Sequence, residues 1–313
     1  MIKEQMIHSN SSAPILPMQC YKQPYLELYN SDCQIGMKEI ADNSINCILT
    51  DPPYLYLKNQ KLERKFDEQL FFSECKRILK NDGFIVLFGR GASFYRWNTI
   101  LADLGFLFKE EIIWDKMRIT SPTNNLGRMH ETIAIWTKGD GIINKVKNNF
   151  IESYKYDPKK IVDTIYRLTT TFGNRKTFEL VKKYFETGAY SHDEGSKRRF
   201  NTTLKNDIKK TNRTLQFAVK MEEGVLEKSI IKETHDRNTI HPTQKPLKLL
   251  ERLLALTTIE KDLVLDAFSG SGSTALACWN TGRKFVGYEI DEAYYNASVK
   301  RIKKETSSPE LFC

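Results

Sequence analysis

At residues 45–54 the chain reads Ile45-Asn46-Cys47-Ile48-Leu49-Thr50-Asp51-Pro52-Pro53-Tyr54. The first six residues have the length and the nearly continuous hydrophobicity of a parallel strand that is buried on both faces. The two prolines end this strand, because proline cannot donate to a β-ladder and favours an extended residue before it. Asp51 and Tyr54 are therefore predicted to lie on a stiff turn at the carboxyl end of a strand, where open α/β sheets bind ligands.

This combination of a carboxylate, prolines and an aromatic ring suits the methylation of an exocyclic amine on an aromatic base. Such an amine is a weak nucleophile because its lone pair is delocalised into the ring. If Asp51 accepts one N–H and the carbonyl of Pro52 accepts the other, the lone pair becomes localised, and Tyr54 offers a face for stacking an extruded base. The same four residues are also compatible with a plain strand end that carries a surface aspartate.

The composition is that of a globular chain with a basic surplus. Of 313 residues 40% are hydrophobic and 28% are charged, and the net charge of +9 favours a polyanionic partner. The six cysteines are scattered without metal-ligand spacing, which predicts reduced thiols in a cytoplasmic protein and no metal site. No apolar run approaches the ~18 residues of a membrane span, so no membrane attachment is expected.

Strand and helix patterns alternate along two separated segments, which predicts an α/β fold with a doubly wound, mostly parallel sheet. One helix is predicted over 67–80, ended by Asn81-Asp82-Gly83, and another is predicted to begin at Pro246. The patterns indicate five regions. These are a flexible arm at 1–19, one half of the main domain at 20–137, an insert at 138–238, the second half at 239–306 and a polar tail at 307–313.

The insert carries most of the positive charge. Residues 138–237 contain 22 Lys and Arg against 14 Asp and Glu, so about eight of the nine surplus charges lie there. Aromatic residues are interleaved with them, which favours contact with DNA over the alternative of a solvated helical face. The candidate DNA-binding residues come from its densest basic stretch: Lys197, Arg198, Arg199, Lys205, Lys209, Lys210 and Arg213.

A glycine turn follows the strand predicted at 263–268. The turn, Ser269-Gly270-Ser271-Gly272-Ser273-Thr274, lets the backbone approach a ligand closely, and the acidic Glu289 follows about 20 residues later. That spacing is typical of folds in which a carboxylate binds the ribose hydroxyls of an adenosine ligand. No phosphate-binding lysine follows the turn, so it is not a P-loop, and a plain βα turn is the alternative.

Three motifs together carry a resemblance to a known family. Asp51-Pro52-Pro53-Tyr54, then His241-Pro242-Thr243-Gln244-Lys245-Pro246, then Asp266-Ala267-Phe268-Ser269-Gly270-Ser271-Gly272 resemble the amino-methylating DNA methyltransferases of the permuted beta group. The resemblance covers about 25–137 and 239–304. It implies a Rossmann-like fold that depends on S-adenosylmethionine, circularly permuted and interrupted by a target-recognition insert. The cofactor strand at 263–267 and the catalytic strand at 45–50 are then expected to be parallel neighbours.

The resemblance also implies roles for individual residues. Asp51, Pro52, Pro53 and Tyr54 match the catalytic tetrad that binds the target amine and stacks the extruded base. The implied cofactor-binding residues are Asp32 and Cys33 at the adenine, Thr243 and Lys245 at the methionine carboxylate, Asp51 beside the sulfonium, Asp266 near the methionine end, Phe268, Ser269, Gly270 and Gly272 in the cofactor loop, and Glu289 at the ribose. His241 is interpreted as packing the turn. Trp114 and Lys116 match positions that contact the flipped nucleotide, with a core tryptophan as the alternative.

An aspartate at the first tetrad position goes more often with adenine N6 in this family, and a serine with cytosine N4. The expected activity is therefore adenine-specific methylation of double-stranded DNA within a restriction-modification system. Cytosine-N4 methylation, RNA methylation and a catalytically silent DNA-binding subunit are the alternatives. A homodimer and a cognate restriction endonuclease are further partners suggested by the family.

Overall fold

The computed structural model describes residues 19–54, 64–119, 125–148, 224–236 and 239–307. Their largest element is a nine-stranded sheet that contains β1 (Gln19–Gln23), β2 (Leu26–Asn30), β3 (Ile45–Thr50), β4 (Leu79–Gly89), β5 (Leu107–Asp115), β6 (His130–Thr137), β9 (Ile230–Lys232), β10 (Leu263–Asp266) and β11 (Lys284–Glu289). A separate ladder pairs β7 (Lys147–Asn148) with β8 (Val225–Leu226). The described helices are α1 (Cys33–Gly36), α2 (Glu68–Ile78), α3 (Gly91–Asp103), α4 (Leu247–Thr257), α5 (Ser273–Asn280) and α6 (Glu292–Thr306), with a short 3-10 helix at Met37–Glu39 after α1.

The order of strands in the sheet is β1-β2-β11-β10-β3-β4-β6-β5-β9. The run from β2 to β4 is parallel throughout, whereas β1 and β6 pair antiparallel with their neighbours. The predicted adjacency of the two motif strands is confirmed, because Val264 pairs with Cys47 and Leu265 with Ile48 in parallel register. The turns after β3, β10 and β11 therefore lie at one edge of the sheet, as the predicted doubly wound, mostly parallel fold requires.

Helices cover both faces of β3. Ile48 belongs to the core cluster that includes Phe71 of α2 and Trp97 of α3. Cys47 points the other way, and its Sγ lies 3.6 Å from Oγ1 of Thr257 at the end of α4. Successive residues of a strand point to opposite faces, so this alternation explains why the whole strand is apolar.

Two predicted boundaries are wrong by small amounts. α2 ends at Ile78 and β4 begins at Leu79, so Asn81-Asp82-Gly83 lies inside the strand rather than between the elements. Leu79 pairs with Ile45 and is fully buried, and the register shifts between Ile45 and Cys47. Regular pairing of β4 with β3 and β6 resumes at Phe84, so Asn81-Asp82-Gly83 forms the irregular part of this strand. Pro246 precedes α4 in an extended conformation instead of forming its first residue.

Backbone contacts divide the chain into two compact units, residues 1–144 with 229–313, and residues 145–228. The predicted insert at 138–238 is therefore longer than the second unit at both ends. Before the second unit, Asn144 still belongs to the first, since its Nδ2 donates to the carbonyls of Ala255 and Thr258, each at 3.0 Å. After the second unit, β9 again belongs to the first, since it pairs with β5. No helix within the described residues is long and apolar enough to cross a membrane.

Candidate active site

The turns at the carboxyl edge of the sheet enclose a cavity of about 260 Å³. Every one of the three sequence motifs contributes to its wall. The predicted site residues that line it are Asp32, Cys33, Asp51, Pro52, Pro53, Tyr54, Thr243, Lys245, Asp266, Phe268, Ser269, Gly270 and Glu289. The adjacency of β3 and β10 thus brings together residues that are more than 200 positions apart in the chain.

Asp51 follows β3 directly, and both of its carboxylate oxygens accept hydrogen bonds. Oδ1 accepts from the hydroxyl of Tyr54, and Oδ2 accepts from the ammonium of Lys245. The backbone of the tetrad is held from α3, where Ser93 Oγ donates to the carbonyl of Tyr54 at 2.6 Å. Burial raises the pKa of the Asp51 carboxyl, and the positive charge of Lys245 opposes that shift.

Lys245 also faces a second carboxylate that sequence reasoning missed. Its Nζ lies 3.3 Å from Oε2 of Glu131, at the start of β6, and Oε1 of Glu131 accepts from the ammonium of Lys116. Burial alone would raise the pKa of Glu131, but the two ammonium groups outweigh it and lower the pKa to about 2. Burial would lower the pKa of Lys245, and its two carboxylate neighbours raise it above the usual range instead.

Asp266 ends β10 as a buried hydrogen-bond acceptor. Oδ1 accepts from Thr50 Oγ1 at 3.3 Å and from the backbone N–H of Phe268 at 3.1 Å, and Oδ2 accepts from Thr274 Oγ1 at 2.6 Å. Burial raises the pKa of this carboxyl to about 6, although these hydrogen bonds oppose the shift. The hydrogen bond from Thr50 joins the end of β3 to the end of β10 next to the cavity. Asp266 therefore helps to fix the turn that follows each of these two strands.

Glu289 ends β11 and fixes the glycine turn. Its Oε2 accepts from the N–H of Gly270, and its Oε1 accepts from the N–H of Asp291, both at 2.8 Å. Gly270 has φ +51°, a left-handed conformation in which L side chains are strained. A Cβ built on Gly270 would lie 3.6 Å from the ring of His241. The turn and the acid therefore form one preorganised unit, with the carboxylate facing the cavity.

The sequence matches a family model described as DNA methylase, over residues 45–300. The chain belongs to this DNA methylase family. It is therefore a DNA methyltransferase of a family that includes both N6 and N4 enzymes.

Characterised relatives agree with that membership. The Type II methyltransferase M.BglII from Bacillus subtilis is 26% identical over 311 residues, covering 95% of this chain and 74% of the relative. The Type II methyltransferase M.HinfI from Haemophilus influenzae is also 26% identical, covering 90% of this chain and 69% of the relative.

Solved structures of other proteins share the fold of this methyltransferase. The M1.HpyAVI–SAM complex aligns with a TM-score of 0.52 and 20% identity, covering 88% of this chain and 99% of that one. PvuII DNA methyltransferase, which is cytosine-N4-specific, aligns with a TM-score of 0.55 and 16% identity, covering 90% of each chain. A putative DNA modification methylase from Thermus thermophilus, complexed with S-adenosyl-L-methionine, aligns with a TM-score of 0.53 and 18% identity, covering 90% of this chain and 94% of that one.

The remaining predicted residues have ordinary structural partners. His241 Nδ1 lies 3.1 Å from Oγ1 of Thr243, its ring contacts Tyr294 at a centroid distance of 4.3 Å, and burial lowers its pKa to about 4. This environment suits the predicted packing role. Asp32 caps α1, because its carboxylate accepts from the N–H of Gln34 at 2.8 Å, and the thiol of Cys33 is buried.

Three further sets of predicted residues remain. Gly272 is not among the residues that line the cavity, and a Cβ there would meet Ile302 and Ser298 of α6, so its part in the cofactor loop stays a prediction. Trp114 is fully buried and donates from Nε1 to the carbonyl of Glu233 at 2.8 Å, so the core alternative is correct. The seven candidate DNA-binding residues at 197–213 lie outside the described part of the chain.

Proposed function

We propose that this methyltransferase transfers a methyl group from S-adenosylmethionine to the N6 amine of an adenine that is extruded from double-stranded DNA. The observation that carries the proposal is that Asp51, Glu289 and Gly270 line the same cavity. We assign Asp51 to the target amine, and Glu289 with Gly270 to the adenosyl group. Transfer requires the two ligands to meet, and a shared cleft supplies that proximity.

The residues of the cavity fit an adenosyl ligand. Both carboxylate oxygens of Glu289 retain lone pairs that can accept from ribose hydroxyls, since each receives one backbone N–H. Phe268 offers an apolar surface and lies 5.3 Å from the ring of Phe66, another wall residue. Asp32 and Cys33 border the same space. We assign the methionine carboxylate of S-adenosylmethionine to Thr243, with Lys245 nearby.

The bound cofactor supplies a methyl group that is already activated by its sulfonium centre. The work of the protein is therefore to position the amine and to stabilise the charge that develops on it. Asp51 accepts one N–H and the Pro52 carbonyl accepts the other, which localises the nitrogen lone pair. Tyr54 stacks the base. The amine proton leaves after methyl transfer, because the neutral amine is too weak an acid to lose it first.

Adenine is favoured over cytosine because the first tetrad residue is Asp51 rather than a serine. The intact tetrad and glycine turn speak against a silent DNA-binding subunit. The Type II relatives support a role beside a restriction endonuclease, with the basic residues at 197–213 binding the DNA backbone.

The test is to digest DNA from cells that express the protein to nucleosides and to identify the modified base. N6-methyladenine is the expected product. Detection of N4-methylcytosine instead would mean that cytosine, not adenine, is the methylated base, and the other parts of the proposal would stand. DNA without any modified base, from cells that contain folded protein, would overturn it. Sequencing the same DNA with modified-base detection identifies the recognition sequence.

A further inference from the structure

Four ionisable side chains, two of them buried lysines and two of them partly buried carboxylates, form a line of alternating charge that begins at the cavity wall. Asp51 binds Lys245, Lys245 lies against Glu131, and Glu131 binds Lys116. Lys245 and Lys116 are 8% and 6% exposed. Burying charges is costly unless each is compensated, so a network of this kind needs a reason beyond stability.

The bond between Lys245 and Asp51 conflicts with the proposed role of Asp51. The target amine must approach the Asp51 carboxylate, and positive charge develops on its nitrogen as the methyl group arrives. An ammonium bonded to Oδ2 weakens that oxygen as an acceptor and repels the developing charge. The Lys245 ammonium therefore competes with the target amine at Oδ2 of Asp51.

Glu131 provides another position for the same ammonium. Its Oε2 is buried and accepts no hydrogen bond from any described residue, although Lys245 Nζ is only 3.3 Å away. Its other oxygen is held by Lys116, which fixes the carboxylate in place. A buried carboxylate oxygen that lacks a donor, beside an ammonium at ion-pair distance, is ready to accept a full hydrogen bond.

We infer that Glu131 is a positioning residue that takes the Lys245 ammonium from Asp51 when the target amine binds. Lys245 thus has two positions, one on Asp51 in the free protein and one on Glu131 in the complex with the flipped base. The displacement costs little, because one charged hydrogen bond replaces another within the same buried network. The inference rests on the proposed function, since it requires an amine at Asp51.

The first test compares Glu131→Gln with Glu111→Gln, which alters an exposed glutamate on the neighbouring strand β5. The readouts are the single-turnover rate of methyl transfer at saturating DNA and cofactor, and the Kd for S-adenosylmethionine. Glu131→Gln is expected to lower the rate by at least about tenfold, the effect of one charged hydrogen bond. Its Kd for S-adenosylmethionine should stay within about twofold, and Glu111→Gln should match the unaltered protein.

Glu131→Gln leaves Lys116 without its ion-pair partner, and this variant can fail to fold. A second comparison, between two variants that both lack the Lys116 charge, avoids that problem. Lys116→Met and Lys116→Met/Glu131→Gln are compared with each other, because the double variant retains a balanced Asp51–Lys245 pair. The double variant is expected to transfer methyl groups at least about tenfold more slowly than Lys116→Met.

Equal rates within either pair would overturn the inference, as would a loss of rate matched by an equal loss of cofactor affinity. Failure of the proposed function would look different, because the unaltered protein itself would then transfer no methyl group to DNA.

Discussion

Glu289 is the single side chain on which cofactor affinity should depend most. In Glu289→Gln the side chain keeps one acceptor oxygen, and its new NH₂ group faces the backbone N–H of Gly270 or Asp291. Losing a hydrogen bond to a charged acceptor costs about 1.5–3 kcal/mol, so the Kd for S-adenosylmethionine should rise by about 10- to 100-fold. Isothermal titration measures this directly, and an unchanged Kd would remove Glu289 from the site.

Asp266 should make stability depend on pH. Its pKa is raised from the ordinary aspartate value to about 6 in the folded protein, so its protonated form is favoured by folding. Its contribution to stability is therefore complete below about pH 4 and is lost as the pH rises through about 6. Asp266→Asn should gain up to about 3 kcal/mol in free energy of unfolding, relative to the unaltered protein, between pH 4 and pH 8. Urea unfolding at both pH values checks this, and a difference independent of pH would contradict it.

The sequence identified individual site residues better than it identified their contacts. Asp51, Gly270 and Glu289 carry recognisable motifs, and all of them line the cavity. Glu131 carries none, since a lone glutamate at the start of a strand is common. Its place in the site depends on β6 running antiparallel to β4, which brings the start of β6 to the carboxyl edge. A sequence pattern does not encode that direction.

Among the helices and strands, the turn between β10 and α5 combines a left-handed glycine with close packing against a neighbouring helix. Gly272 has φ +70°, and a Cβ there would lie 3.1 Å from Ile302 Cδ1 and 3.2 Å from Ser298 Cβ. Gly91 has φ +64°, but a Cβ there would meet nothing within 4 Å. Gly91→Ala should therefore cost about 1 kcal/mol of backbone strain, whereas Gly272→Ala should cost about 2–3 kcal/mol. Equal losses in chemical unfolding would show that α6 does not restrict the turn.

Most of the elements were predictable because their hydrophobic patterns are unambiguous. The strand at 45–50 and the leucine-rich helix α4 match their predicted positions closely. The start of β4 was not predictable, because Asn81-Asp82-Gly83 has the composition of a turn while the structure holds it in a strand. The competing influence is tertiary: burial of Leu79 against β3 outweighs the local preference.

For the entire chain, the concentration of charge at 138–237 predicts how DNA binding responds to salt. Replacing Lys197, Arg198 and Arg199 together by alanine should lower the slope of log K against log salt concentration by up to about 3, if all three bind phosphates. The matched control replaces Lys300, Lys303 and Lys304, which are exposed on α6. Equal slopes for the two triple variants would place DNA contact elsewhere.

The central claim is that one cleft holds the cofactor and presents Asp51 to the target amine, so that the two tasks are separable. The most direct measurement is single-turnover methyl transfer by Asp51→Asn, with its Kd for S-adenosylmethionine measured on the same preparation and Asp103→Asn as an exposed control. The predicted result is a rate lowered by at least about 100-fold with a Kd within a few-fold of the unaltered protein. Methylation by Asp51→Asn at the unaltered rate would contradict the claim.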